Sequence, residues 1–336
     1  MNKPHIVQIL PMYHRDGEER LNKYALVKKF TEFNEAEICD YLQHHHVDGI
    51  ILRAPARITP SILDSCQQVK AISGAGVGLD NIDVRYATNK RIPVLHAPKL
   101  NSTATAEHAV SLLLAVMKKT AFFDRETRAG NFQSRNGEYT YELEGKQLGI
   151  VGFGSIAQKV AKILVHGFGM KAMAYVRKID EVKEQAADQI GVELTTSLEK
   201  IFSESDAVSL HIPLTKETDK LVDHRLLSLM KETAVLINTA RGGVVNEADL
   251  VDVLKQNRIL GAGIDVFSKE PPPEDHPFFQ LKQVTMSPHI GGISLEAARE
   301  TSILIAENLI RVINGEKLSV IANQAELSET GKGAFS

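Results

Sequence analysis

Three polar residues stand where chemistry gathers in an open α/β sheet. Arg241 lies in NTARGG, Glu270 in DVFSKEPPP and His289 in SPHIGG, each just past an apolar run that reads as a strand (AVLINTA, GAGIDVF and VTMSPHI). Doubly wound sheets bind ligands outside the carboxyl ends of their strands, so the three side chains are expected along one edge. Their types complement one another. Hydride transfer to or from an alcohol carbon requires a proton moved at the oxygen, which an imidazole can do near neutral pH. A carboxylate beside the ring orients it and favours its protonated form. A guanidinium holds a carboxylate through two parallel hydrogen bonds. Singly, a histidine in a Pro-Gly loop, or an Arg or Glu at a strand end, is more often structural. The joint placement is what points to catalysis.

A glycine loop supplies the other half of that chemistry. Gly152, Gly154 and Ala157 in GFGSIA follow the apolar run QLGIV and open the helical pattern SIAQKVAKILV. The first glycine allows a tight turn, the second lets backbone approach a pyrophosphate, and a small third residue permits close helix-to-strand packing. Ser155 and Ile156 begin the helix, whose amide donors and positive dipole end suit phosphates. About 20 residues on, an acid is expected to bind the ribose hydroxyls of NAD. There the chain reads AYVRK, with Val176 at the acidic position and Arg177 and Lys178 after it. Valine removes the repulsion of a 2′-phosphate and the two cations add donors, so NADP is expected in preference to NAD. The alternative is a solvated basic turn. A second cluster, SGAGVGLDNID from Ser73 to Asp83, imitates the glycine motif but has Leu79 at the third position. It reads equally as a tight turn or as amides around a small anion.

Such a site needs layered scaffolds. At 336 residues the chain exceeds one ordinary hydrophobic core. From the start to about residue 100, HIVQIL, GIILRA, VKAIS and IPVLHA alternate with helical stretches, the rhythm of βα units on a parallel sheet. TATAEHAVSLLLAVMKKTAFFDRETRAG reads as one long helical pattern, and after it six strand candidates restart the rhythm at KQLGIVGFG. The last helix, SLEAARETSILIAENLIRVING, ends at Gly315, a natural C-cap, and the tail after Asn323 is expected to be loosely ordered. With 39 Lys and Arg against 42 Asp and Glu, the net charge of −3 gives no basic field for nucleic acid or an anionic membrane. The N-terminus lacks a signal-type apolar region, and no apolar run approaches the roughly 20 residues that span a bilayer. Cys39 and Cys66 stand outside any CxxC and read as reduced thiols of a cytoplasmic protein, and no metal site is expected.

Together these segments resemble the D-isomer-specific 2-hydroxyacid dehydrogenase family, which includes phosphoglycerate dehydrogenases and glyoxylate/hydroxypyruvate reductases, over nearly the whole chain. GVGLDNID, NSTATAEH, LEGKQLGIVGFGSIA, HIPLT, INTARGGVVNEADL, GAGIDVFSKEPPP and SPHIGGIS occur in the family's order and spacing. The resemblance implies two doubly wound α/β domains joined by two long helices, with the active site in the cleft. A Rossmann dinucleotide-binding domain over 103–295 is inserted into a discontinuous flavodoxin-like catalytic domain of 1–102 and 296–336. It implies His289 as acid/base, Glu270 as its partner and Arg241 as the clamp on the substrate carboxylate and reacting oxygen. Backbone at Val77 and Gly78 would bind that carboxylate, and Arg53 matches a position that contacts acidic substrates in phosphoglycerate dehydrogenase-like members.

Thr105, Ile156, His211, Pro213, Thr218, Thr239, Ala240, Asp265 and Gly291 match cofactor-contacting positions, with Asp265 toward the nicotinamide carboxamide. Val176 departs from the Asp of many members. No regulatory extension is expected after Gly315. The implied partners are a small 2-keto or 2-hydroxy acid and a second copy of the chain, the homodimer forming through the dinucleotide-binding domain with Val110 to Met117 at its interface. A nicotinamide-sensing regulatory protein on the same fold is the alternative, against which the intact Arg241, Glu270 and His289 argue. A short-chain reductase would require a Tyr and Lys spaced YxxxK on a helix, and the sequence shows no convincing YxxxK in such a place.

Overall fold

The computed structural model describes residues 3–74, 78–318 and 320–329. They divide into two compact units, Met1–Asn101 with Ile293–Ser336, and Ser102–Gly292.

In the first unit β1 (His5–Ile9), β2 (Leu26–Phe30), β3 (Gly49–Leu52), β4 (Ala71–Gly74) and β5 (Val94–Leu95) form a parallel sheet in the order β2-β1-β3-β4-β5, the flavodoxin-like arrangement. β3 and β4 are buried throughout, which is why they read as continuous apolar runs. β2, LVKKF, was not among the expected strands. It is an edge strand, and its lysines keep that edge soluble while hiding its periodicity.

The helix Leu295–Ile313 returns to this unit, where Ile305, Leu309 and Ile313 pack with Ile6, Leu21 and Ile51. Ser294 caps its start by accepting from the Ala297 amide at 3.1 Å. Gly315 stops it in the left-handed conformation, φ +87°, with its amide on Val312 O at 2.9 Å. Directly after Asn323, where a loose tail was expected, a helix follows at Gln324–Glu329, and the residues after 329 lie outside the described ones. Asn323 itself is buried. Its Oδ1 accepts from the Val94 amide at 3.0 Å, and its Nδ2 donates to Thr88 Oγ1 and Ile92 O, each at 3.0 Å.

In the second unit β6 (Gln147–Val151), β7 (Lys171–Tyr175), β8 (Val192–Thr195), β9 (Ala207–Leu210), β10 (Val235–Asn238), β11 (Gly261–Ile264) and β12 (Val284–Met286) form a parallel sheet ordered β12-β11-β10-β9-β6-β7-β8. This is the Rossmann order with one added strand, and the order reverses between β6 and β9. Among the described residues the unit has seven strands where six were expected. The missed one, β8 (VELT), is again a half-exposed edge strand.

The expected single helix is two, Ser102–Met117 and Thr120–Arg128, separated where Lys119 turns left-handed at φ +50°. The Met117 carbonyl accepts instead from the Tyr141 amide at 3.0 Å. Ala106, Ala109, Leu113 and Met117 bury the first helix in the core with Leu148, Ile150 and Leu164, whereas the second helix has no fully buried residue. No described helix is long and apolar enough to cross a membrane.

Candidate active site

Arg241, Glu270 and His289 all belong to the second unit, beyond the carboxyl ends of β10, β11 and β12. Asn238, the buried last residue of β10, folds the first of these turns. Its Oδ1 accepts from the Ala240 amide and its Nδ2 donates to Arg241 O, both at 3.0 Å. The Arg241 guanidinium donates Nη1 to Ala240 O at 2.7 Å. Gly242 lets this turn meet the one after β11, since a Cβ there would stand 1.9 Å from the Phe267 carbonyl carbon.

The second turn is held from within. Glu270 accepts from the Phe267 amide through Oε1 at 3.0 Å, leaving Oε2 for His289 Nδ1 at 2.7 Å. Glu247, at the start of the preceding helix Glu247–Lys255, ties the same turn to that helix by accepting from Ser268 N at 2.7 Å and Ser268 Oγ at 2.5 Å. His289 adopts φ +55° and anchors its own amide on Asp265 O at 2.8 Å.

Burial alone would raise the Glu270 pKa, but the hydrogen bond from His289, the Phe267 amide and the nearby charges outweigh it and hold the carboxyl below its usual value. The bond to Glu270 lifts His289 above its usual value against the effect of burial. The charges of Glu270 and Asp265 add to the lift and that of Arg241 reduces it. With Nδ1 committed to Glu270, Nε2 is the ring nitrogen left for a substrate.

Asp265 is 1% exposed. Its Oδ1 accepts from Ser287 Oγ at 2.6 Å and Ile290 N at 2.9 Å, and its Oδ2 from Gly291 N at 2.8 Å. His108 Nε2 lies 3.3 Å from Oδ1. Desolvation opposes its ionisation, yet these donors together keep its pKa below the usual value. A Cβ at position 291 would stand 2.8 Å from Asp265 Oδ2, so the close approach suits glycine.

The glycine loop lies after β6. Gly152 takes φ +94°, and a Cβ there would meet His211 O at 2.6 Å. Gly154 caps the helix Ser155–Phe168, and nothing lies within 4 Å of where its Cβ would be. Ala157 is fully buried and Ile156 half-buried. The open backbone at a helix N-terminus fits the close approach of a pyrophosphate. Thr239 Oγ1, buried with no hydrogen-bond partner among the described residues, fits a ligand that supplies a hydrogen bond.

Thr105 is buried on the helix Ser102–Met117, whose Ser102 Oγ lies 3.3 Å from Ser155 Oγ. Burial pushes His211 down to about 4, and its Nε2 lies 2.9 Å from Ser209 Oγ. Thr218 Oγ1 donates to Pro213 O at 2.6 Å, shaping the loop after β9. Val176 is buried at the end of β7, while Arg177 and Lys178 are exposed. Thr215 and the charge of Arg177 both lower the pKa of the exposed Glu217 on that loop.

Arg53 and Gly78 belong to the first unit. Arg53 donates Nε to Pro11 O at 2.5 Å and Nη1 to Ala54 O at 2.8 Å, with its guanidinium over the Tyr13 ring. Val77 lies outside the described residues. Among the described residues no group of three or more His, Cys, Asp or Glu side chains could hold a metal ion.

Residues 110–291 match the family described as D-isomer specific 2-hydroxyacid dehydrogenase, NAD binding domain. The glyoxylate reductase of Thermococcus litoralis is 39% identical over 84% of this chain and 86% of its own. The chain belongs to the D-isomer specific 2-hydroxyacid dehydrogenase family. It is therefore a nicotinamide-dependent dehydrogenase.

A D-3-phosphoglycerate dehydrogenase of Methanocaldococcus jannaschii is 31% identical over 95% of this chain, which spans 60% of that relative's length. An acyclic imino acid reductase solved with NADPH and D-arginine superimposes with TM-score 0.81 and 30% identity, over 94% of this chain and 99% of that one.

The sequence reading missed Asn238, Glu247, Ser287 and His108, which hold the site without standing at conspicuous positions. His108 carried a signal. It falls three residues after Thr105 and four before Leu112, on the inward face of a helix read as apolar.

The paired shifts set a pH window. The stability contributed by His289 is present below its unfolded pKa and lost as pH rises through its raised folded value. That of Glu270 is lost as pH falls through its lowered one. An NMR titration should therefore find the His289 ring titrating above the usual value near 6.5, and Glu270→Gln should bring it down. A ring unaffected by Glu270→Gln would refute the pairing.

Proposed function

We propose that this dehydrogenase reduces a small 2-keto acid of glyoxylate type to the D-2-hydroxy acid, with NADPH as the preferred coenzyme. The observation that carries the reading is the 2.7 Å pair of His289 and Glu270, flanked by Arg241 at the ends of adjacent strands. Glyoxylate reductases among the relatives that this chain covers over most of their length support the substrate class.

When bound, the reduced dinucleotide supplies the hydride to the alpha carbon. Protonated His289 gives its Nε2 proton to the keto oxygen, and Glu270 stabilises the imidazolium beforehand. Arg241 takes the substrate carboxylate through its guanidinium fork. Arg53 and the backbone of Val77 and Gly78 are assigned to the substrate. Thr105, Gly152, Gly154, Ser155, Ile156, Ala157, Val176, Arg177, Lys178, His211, Pro213, Thr218, Thr239, Ala240, Asp265 and Gly291 are assigned to the dinucleotide. A pair poised for proton transfer has no use in a sensor, which favours the enzyme over the regulatory reading.

The coenzyme preference rests on Val176, Arg177 and Lys178. A relative in fold solved with NADPH is compatible with it. The homodimer reading rests on helices Ser102–Met117 and Ser155–Phe168, where Val110, Leu114, Ala115 and Ile163 line one surface depression. Sedimentation equilibrium should give twice the chain mass, and a monomer at micromolar concentration counts against it.

His289→Gln should fold and bind coenzyme while losing roughly 100- to 10,000-fold in turnover, the usual contribution of a placed acid/base group. Retention of most turnover in a glyoxylate assay would remove His289 from the chemistry. The unmutated enzyme should use NADPH better than NADH. Arg177→Ala should narrow that ratio about tenfold or more, because a charge-assisted bond is worth roughly 1.5–3 kcal/mol. Equal catalytic efficiency with both coenzymes would overturn the preference.

A further inference from the structure

Behind the carboxylate of Asp265 stands a chain of polar groups that the proposed reaction does not use. His108 Nε2 lies 2.7 Å from Ser287 Oγ, which donates to Asp265 Oδ1 at 2.6 Å. The Ser287 hydroxyl has a single hydrogen, and an ionised carboxylate only accepts. Once that hydrogen is given to Asp265, the contact with His108 is satisfied only by an N–H on the ring, so Nε2 carries the proton. His108 thereby dictates which way the Ser287 hydroxyl points.

The ring also meets the catalytic loop. A Cβ on Gly291 would stand 3.2 Å from His108 Cδ2 and 2.8 Å from Asp265 Oδ2, so the chain at Gly291 runs close between these two side chains. The helix Ser102–Met117, the ends of β11 and β12, and the loop that carries His289 therefore converge on one carboxylate.

We propose that His108 is a positioning residue of this dehydrogenase: its Nε2–H sets the Ser287 hydroxyl as a fixed donor to Asp265 and so orients that carboxylate for the nicotinamide end of the coenzyme. The proposal rests on the assignment of Asp265 to the coenzyme. His108 touches neither substrate nor reacting atoms. Its effect reaches Asp265 through Ser287, which loses its defined orientation when the ring N–H is removed, and directly across the 3.3 Å between Nε2 and Oδ1. Asp265 then keeps the backbone amides of Ile290 and Gly291 but not the donor that fixes its rotation.

The test is NADPH binding, read by fluorescence on the otherwise unliganded enzyme, with thermal unfolding as a control for folding. His108→Leu should weaken NADPH about tenfold, as expected for one lost hydrogen bond at a buried carboxylate. His108→Gln restores an N–H donor at a similar reach and should recover most of that affinity. Ser287→Ala should also weaken NADPH, and the double variant should bind no more weakly than His108→Leu, because removing the ring already disables the contribution of Ser287. If His108→Leu does not fold, Ser287→Ala against Ser287→Thr asks the same question, with threonine expected to retain affinity.

Parent-like affinity in His108→Leu, failure of His108→Gln to improve on it, or additive losses in the double variant would overturn the proposal. Asp265→Asn separates the two levels of the argument. If it weakens NADPH while His108→Leu does not, only the role of His108 falls. If it leaves NADPH binding unchanged, the assignment of Asp265 to the coenzyme falls and the proposal with it.

Discussion

A buried carboxylate must be ionised against the cost of desolvation, and it organises whatever supplies its hydrogen bonds. Asp265 is that group here. The donors it requires come from the end of β12, from the backbone of the loop that carries His289, and from the helix Ser102–Met117. An uncompensated carboxylate at this depth would be strongly destabilising, so these segments cannot drift apart without a large loss. The left-handed backbone at His289 belongs to the same constraint. A residue held at φ +55° is maintained by its surroundings, here by its own amide on Asp265 O and by the next two amides on the Asp265 side chain.

The electrostatics around His289 follow from that framework. Glu270 lies on the turn after β11, pinned by the Phe267 amide, and so presents its second oxygen to the ring at a defined angle. Asp265 adds negative potential and Arg241 positive, so the ring's proton affinity is a balance among groups delivered by three neighbouring strands. Arg241 reaches the same place because Gly242 permits its turn to touch the one after β11. The whole arrangement is backbone geometry first and side-chain chemistry second.

The glycine loop shows the same order of causes on the other side of the switch point. Gly152 adopts a conformation and a closeness to His211 that a side chain would forbid, and Gly154 leaves the start of the helix Ser155–Phe168 uncovered. Packing beneath the loop is dense, with Ala157, Val160 and Leu164 fully or almost fully buried. A rigid floor and an open roof let a pre-formed set of amides meet an anion with little reorganisation.

By itself, the amino-acid order determined the features that depend on local rules: the buried strands as apolar runs, the glycine loop between strand and helix, the C-cap at Gly315, and Arg241, Glu270 and His289 beyond successive strand ends. These were legible because parallel strands buried on both faces have little compositional freedom, and because glycine and proline mark turns through their backbone alone. The edge strands β2 and β8 escaped, since an edge covered on fewer sides tolerates lysine and glutamate. The break at Lys119 escaped because apolar residues continue across it, and only the bond from the Tyr141 amide, over twenty positions away, shows where the first helix ends. What tertiary structure alone decided is the wiring of the site: that Glu270 Oε2 meets His289 Nδ1, that Glu247 braces the turn that carries Glu270, and that His108, 157 positions before Asp265 in the chain, lies beside its carboxylate. Those contacts join residues far apart in sequence, and no local pattern encodes a distance that only the packing of a helix against strand ends can set.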